Sequence, residues 1–166
     1  MDSLSLPLKL LLAIVLGALI GLERESATDP ESVKEMGDRW GLRTYSLISL
    51  LGAVAGMLYL FDNTTLSVII TASFFILIFI YYGVGGWMIK SMGLTTELGG
   101  IFSYLIGYFV TSEIFPIQLV VAITVVIELI LSVKEKSHNI ILGIKRSEID
   151  AFIGFAIIAL VILPFL

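Results

Sequence analysis

The chain has 166 residues, of which 58% are apolar and 14% charged, and its mean hydropathy is +1.04. That balance excludes a soluble globular domain and marks an integral membrane protein whose first partner is the lipid bilayer. The net charge of −4 is small and dispersed, and no Lys/Arg cluster with interleaved aromatics occurs, so no nucleic acid is expected to bind; without cysteine there are no disulfides or thiolate metal sites.

Hydropathy predicts an all-α, polytopic transmembrane helical bundle of about six spans, forming a single membrane domain over residues 1–166. The first span covers residues 6–22. Its leading region sets Asp2 against Lys9 and no small-x-small site follows before Glu23-Arg24-Glu25, so it reads as a permanent helix and not as a cleaved signal. A polar segment, Ser26 to Trp40, follows. Within it Asp29 and Pro30 suit the start of a short helix. Span two covers residues 42–61. Span three, residues 65–89, lies in an uncharged stretch beginning at Asn63 and ends in Tyr81-Tyr82-Gly83-Val84-Gly85-Gly86-Trp87. Those aromatics read as an interfacial belt in preference to a ligand cage.

Span four, residues 93–111, contains Glu97 as its only charge, and span five, residues 115–133, contains only Glu128; Pro116 suits the start of span five. Residues 134–148 alternate charged with apolar side chains, as an interfacial cytoplasmic helix does, and His138 within them reads as an exposed polar residue. The sixth span, residues 149–166, is uncharged from Ala151 and reaches only about 24 Å at the helical rise. A segment that short favours a partner or a thinned bilayer.

With alternating spans, nine of the ten Lys and Arg residues fall on one side and Lys9 alone on the other. The positive-inside rule then places both termini outside, in a multi-pass protein of the plasma membrane, which for a prokaryote is the inner membrane.

Small residues recur four apart: Ala13, Gly17 and Gly21; Gly52 and Gly56; Gly99, Ser103 and Gly107. Such faces let membrane helices approach closely. Together with the short last span they predict an oligomer, either a homodimer or a complex with a second membrane subunit.

Charge at membrane depth is costly, so it marks candidate function. Glu23 and Arg24 close span one, Arg43 and Thr44 open span two, and Glu97 and Glu128 lie in spans four and five, all in the inner-leaflet half. Two readings are open for Glu23, Arg24 and Arg43: an ion-pair staple between the first two spans, or part of an ion pathway. Glu97 follows Thr95 and Thr96 as at a helix start, where a carboxylate is favoured. Glu128 is flanked by Ile127, Leu129, Ile130 and Leu131, so it requires a partner, a proton or a cation. Oxygen ligands such as Glu97 and Glu128 suit Mg2+, which keeps several waters and uses one or two carboxylates. No nucleophile elbow, phosphate loop or paired-His motif is present, and no enzyme activity is expected.

Gly17-x-x-Ile20-Gly21-Leu22-Glu23-Arg24, followed by Gly41-Leu42-Arg43-Thr44-Tyr45-Ser46-Leu47-Ile48-Ser49-Leu50-Leu51-Gly52-Ala53, resembles the core of the MgtC/SapB family of inner-membrane proteins. The polar link between Arg24 and Gly41 is longer than that family's usual one. The resemblance implies a membrane protein of magnesium homeostasis and, in some members, restraint of an ATP synthase. Two functions follow as expectations: a permeation or exchange unit for a small cation such as Mg2+, or a non-transporting regulator of another membrane complex.

Overall fold

The computed structural model describes residues 4–26, 40–88 and 94–141. They form five helices and, among these residues, no strand: α1 (Leu6–Ser26), α2 (Leu42–Leu60), α3 (Thr64–Met88), α4 (Leu94–Ser112) and α5 (Ile117–Ile141). Each of the first five expected spans is thus one helix. The short helix expected at Asp29 and Pro30, and the sixth span, lie outside the described residues. By contacts the chain divides into two units, Met1–Leu131 and Ser132–Leu166. Of the second, residues 132–141 are described, as a helical run continuing α5.

Among the described residues three helices are long and apolar enough to cross a membrane, over Leu6–Glu25, Leu42–Leu60 and Thr64–Val84. In α5 the apolar run is shorter, Ile117–Ser132, and α4 carries Glu97 in its first turn. Two boundaries differ from expectation. α1 continues through Glu23–Ser26, and α5 continues through residues 134–141, which the charge pattern alone separated as a surface segment. Neither extension contains Pro or Gly, and both are rich in the helix formers Glu, Lys and Arg.

The turns follow from local chemistry. Asp62, between α2 and α3, and Glu113, after α4, take positive φ values of 61° and 59°, which reverses the chain within a few residues. Pro116 precedes α5, and its carbonyl accepts the N–H groups of Leu119 and Val120.

Glycine positions define the packing. Gly21 lies against Leu42 while Gly17 lies against Tyr45 and Ser49, so α1 and α2 run antiparallel. Gly52 meets the Tyr104 carbonyl and Gly56 that of Tyr108, so α2 and α4 run parallel, backbone against backbone. Hydroxyl groups fasten this trio: Ser49 Oγ donates to Ala13 O at 2.6 Å, Ser103 Oγ to Tyr45 O at 2.8 Å and Thr111 Oγ1 to Ala53 O at 2.7 Å. Gly17, Gly21, Gly52, Gly56 and Gly107 all face helices of the same chain. The small-residue faces read from sequence as support for an oligomer are therefore covered within the protomer.

α3 runs antiparallel to this trio's α2 and α4 and packs mainly through rings. Phe74 stacks on Tyr104 with centroids 4.4 Å apart, and Thr71 Oγ1 shares a 2.7 Å hydrogen bond with the Tyr104 hydroxyl. A cleft of about 330 Å³ between α3 and α4 is lined by Val68, Thr71, Tyr104 and Tyr108 among others. Val120, Ile127 and Leu131 of α5 join Ala13, Leu16 and Ile20 of α1 in one buried cluster.

Candidate functional site

The C-terminal end of α1 supplies an adjacent acid and base. Arg24 Nε lies 3.3 Å from Glu23 Oε2, and the two side chains are only 13% and 14% exposed. Arg24 sits in the last helical turn, where the macrodipole favours a cation. At the same end of the trio, α4 begins. Its Glu97 is in the first turn, where the dipole favours a carboxylate, and is only 4% exposed. Glu97 Oε2 is buried and accepts no hydrogen bond among the described residues, and Glu128 Oε1 on α5 is in the same condition.

Tyr45 joins these groups. Fully buried, it rests its ring against Gly99 and donates its hydroxyl to Thr96 O at 3.0 Å. It lies within electrostatic reach of Arg24, Glu97 and Glu23, and Glu128 lies within reach of Glu23 and Arg24. Glu23 and Arg24 are thus common to the surroundings of Tyr45 and of Glu128.

Glu23 and Arg24 are brought together as an ion pair, and Glu128 lies within electrostatic reach of both. Arg43 is not part of this group: its side chain is exposed and it takes part in neither ion pair among the described residues. The expected staple through Arg43 is replaced by another link between α1 and α2. Glu25 Oε2 accepts the Leu42 N–H at 3.2 Å, capping α2, whose N-cap residue Gly41 has no side chain to do so. Thr44 is partly buried beside the cluster in sequence, and it is the Thr96 main chain, not a threonine hydroxyl, that meets Tyr45.

The aromatic residues pack on one another. Trp40 lies 5.3 Å from Tyr81 and edge-on to Tyr45 at 6.2 Å, and Gly100 leaves the space for its indole. These rings lock α2, α3 and α4 together next to the charged cluster.

At the opposite end of the bundle Lys9, 4% exposed, pairs with Glu113 of the α4–α5 turn. Lys9 stood out in the sequence only as the lone basic residue of the outer side, and Glu113 did not stand out. Lys9 precedes Ala13, Gly17 and Gly21 by steps of four, so its place on the packed stripe of α1 was the available signal. Glu25 was signalled by a helix opening at a bare glycine.

Among the described residues no three His, Asp or Glu side chains gather closely enough to hold a metal ion.

A sequence profile of the MgtC family matches residues 10–140. The chain belongs to the MgtC family. No curated protein and no solved structure matches it. The MgtC-family match runs from α1 to the end of α5 and so includes Glu97 and Glu128, whereas the residues that resembled the family most specifically lay in the first two spans.

Proposed function

We propose that this MgtC-family protein is a membrane permeation or exchange unit for a small cation, Mg2+ being the best fit, with Glu23, Arg24, Glu97 and Glu128 as the binding end of the pathway. The carrying observation is the buried Oε2 of Glu97, which lacks a hydrogen-bond partner among the described residues. A hydrated divalent cation would offset the charge of that buried carboxylate. Helix directions favour an outside N-terminus, because Arg24 and Arg43 lie at the cluster's end and Asp62 and Glu113 at the other.

A second reading is favoured by the backbone contacts of Gly52 and Gly107, which leave no room for an ion between α2 and α4. On that reading the cluster senses the cation, and the protein acts as a regulator of another membrane complex without transporting. Permeation would require a path along α5 or between copies in a homodimer or a mixed assembly. Flux of several cations into vesicles containing the purified protein separates the readings. Wild-type flux lost in Glu128→Gln, with Glu97→Gln affected less, supports the pathway. Mg2+-dependent thermal stabilisation without flux would move the assignment to the regulator.

A further inference from the structure

We propose that the cleft between α3 and α4 is a lipid site, which takes a single acyl chain from the leaflet at the Asp62 and Glu113 end of the bundle. The site lies at the opposite end from the buried carboxylates and fills whether or not they bind a cation.

The depth of the cleft and the chemistry of its walls identify the occupant. Ser67 to Ala72 lie about 4–12 Å into α3 from its Thr64 end, and Tyr104 to Phe109 lie about 4–12 Å into α4 from its Ser112 end, so the two helices agree on the level. In a hydrocarbon core about 30 Å thick, that level is the acyl-chain zone of one leaflet. Val68 lines the cleft and is 59% exposed, so the cleft opens sideways to lipid. The hydroxyls of Thr71 and Tyr104, one from each wall, are used up. Thr71 Oγ1 donates to Ser67 O at 2.8 Å, so the 2.7 Å contact between Thr71 and Tyr104 is donated by the tyrosine. Neither hydroxyl has a proton left for a guest, and an apolar guest leaves both bonds intact. Volume separates a chain from a helix. A helix with its side chains is about 10–12 Å across, so about 8 Å of its length takes roughly 600 Å³ or more, whereas the cleft holds about 330 Å³. A lipid tail is thinner. Left empty, the cleft would deprive Val68, Tyr104 and Leu105 of dispersion contacts on one side. Tail and walls are alike in polarity, so packing and not transfer from water favours the seated chain.

The test uses the full chain in phosphatidylcholine nanodiscs with a small fraction of the same lipid carrying a diazirine in the middle of one chain. After irradiation, labelled residues are mapped by peptide mass spectrometry. Leu11 of α1 and Ile123 of α5 are exposed at a similar depth and report ordinary lipid contact. Labelling at Val68 and Leu105 should exceed theirs about tenfold, a preference of about 1.4 kcal/mol. Ala72 lines the cleft and is exposed, so Ala72→Phe fills it without displacing packed side chains; labelling at Leu105 should fall to the level of Leu11 and Ile123. Ala122→Phe, an equal addition on the exposed face of α5, should leave it unchanged. Because each variant is compared with wild type at the same residue, differences in side-chain reactivity cancel. Equal labelling of Val68, Leu105, Leu11 and Ile123 in the wild type would make the cleft ordinary lipid-facing surface and overturn the site. So would labelling confined to Leu11 and Ile123, which means that protein covers the cleft; disulfide-linked dimers of Val68→Cys, in a chain with no cysteine of its own, would then name a second copy as the occupant. If Ala72→Phe does not fold, Val68→Phe at the mouth is read in the same way: loss of label at Leu105 supports the site, and unchanged label refutes it.

Discussion

Gly17→Ala tests the close approach on which the bundle depends. A Cβ at residue 17 would stand 2.5 Å from Ser49 Cβ and 2.7 Å from the Tyr45 carbonyl oxygen, against an ordinary contact beginning at 3.4 Å. α1 would therefore have to move off α2 by about 0.9 Å, since the obstacles include main chain that cannot rotate away. Overpacking of this kind costs about 1–3 kcal/mol. The same shift stretches the 2.6 Å bond from Ser49 Oγ to Ala13 O, and an interhelical hydrogen bond in a membrane contributes about 0.6 kcal/mol. Alanine recovers about 0.5–1 kcal/mol through its better helix propensity, leaving a net loss of roughly 1–3 kcal/mol. The control is Gly83→Ala, where nothing lies within 4 Å of the added carbon and propensity alone acts. Both variants would be unfolded from mixed micelles by rising denaturing detergent. Equal stability of the two would refute the inference that main-chain contact holds α1 to α2.

The Lys9–Glu113 pair is asymmetric, because the lysine is 4% and the glutamate 48% exposed; Glu113→Ala should be the more damaging change, leaving a buried ammonium, while Lys9→Met should be tolerated and should rescue Glu113→Ala. Melting temperatures of the two single variants and the double variant decide this. Glu25→Ala should cost about 1 kcal/mol and speed amide exchange in the first turn of α2, whereas Glu25→Gln should cost less, since it keeps an acceptor for Leu42 N–H. Single cysteines at Asp62 and Lys136 should react with a membrane-impermeant reagent from opposite sides of the membrane; reaction from one side would exclude the alternating arrangement.

The helices were legible because hydropathy and length report burial in lipid directly, and five of them fall where the apolar runs lie. The glycine stripes were legible as contact faces, but not as contacts within one chain: spacing shows that a face is smooth and says nothing of which helix meets it. The charged site was partly legible. Glu97 and Glu128 stand alone in apolar runs, and that isolation marks them. The fate of Arg43 was not legible, because residues 42 to 46 make one helical turn and whether position 43 points inward or outward depends on how α2 rotates against α1. That rotation is set by Tyr45 and Ser49 entering the trio, which leaves Arg43 on the outside. The acceptor that caps α2 comes from seventeen residues away in sequence, beyond the reach of any local capping pattern.

α3 is attached to the remainder by rings and one shared hydroxyl contact, with a cleft on its α4 side, while α1, α2 and α4 touch through main chain. The two parts differ in mechanical compliance. When the bilayer thins or thickens, the main-chain contacts of the trio leave it little freedom to yield, whereas α3 can change its tilt by sliding side chains past one another. Lateral pressure and lipid chain length would then be registered first at α3. Because Tyr81 on α3 touches Trp40, which in turn meets Tyr45 edge-on, a change in membrane thickness would be passed on to Tyr45.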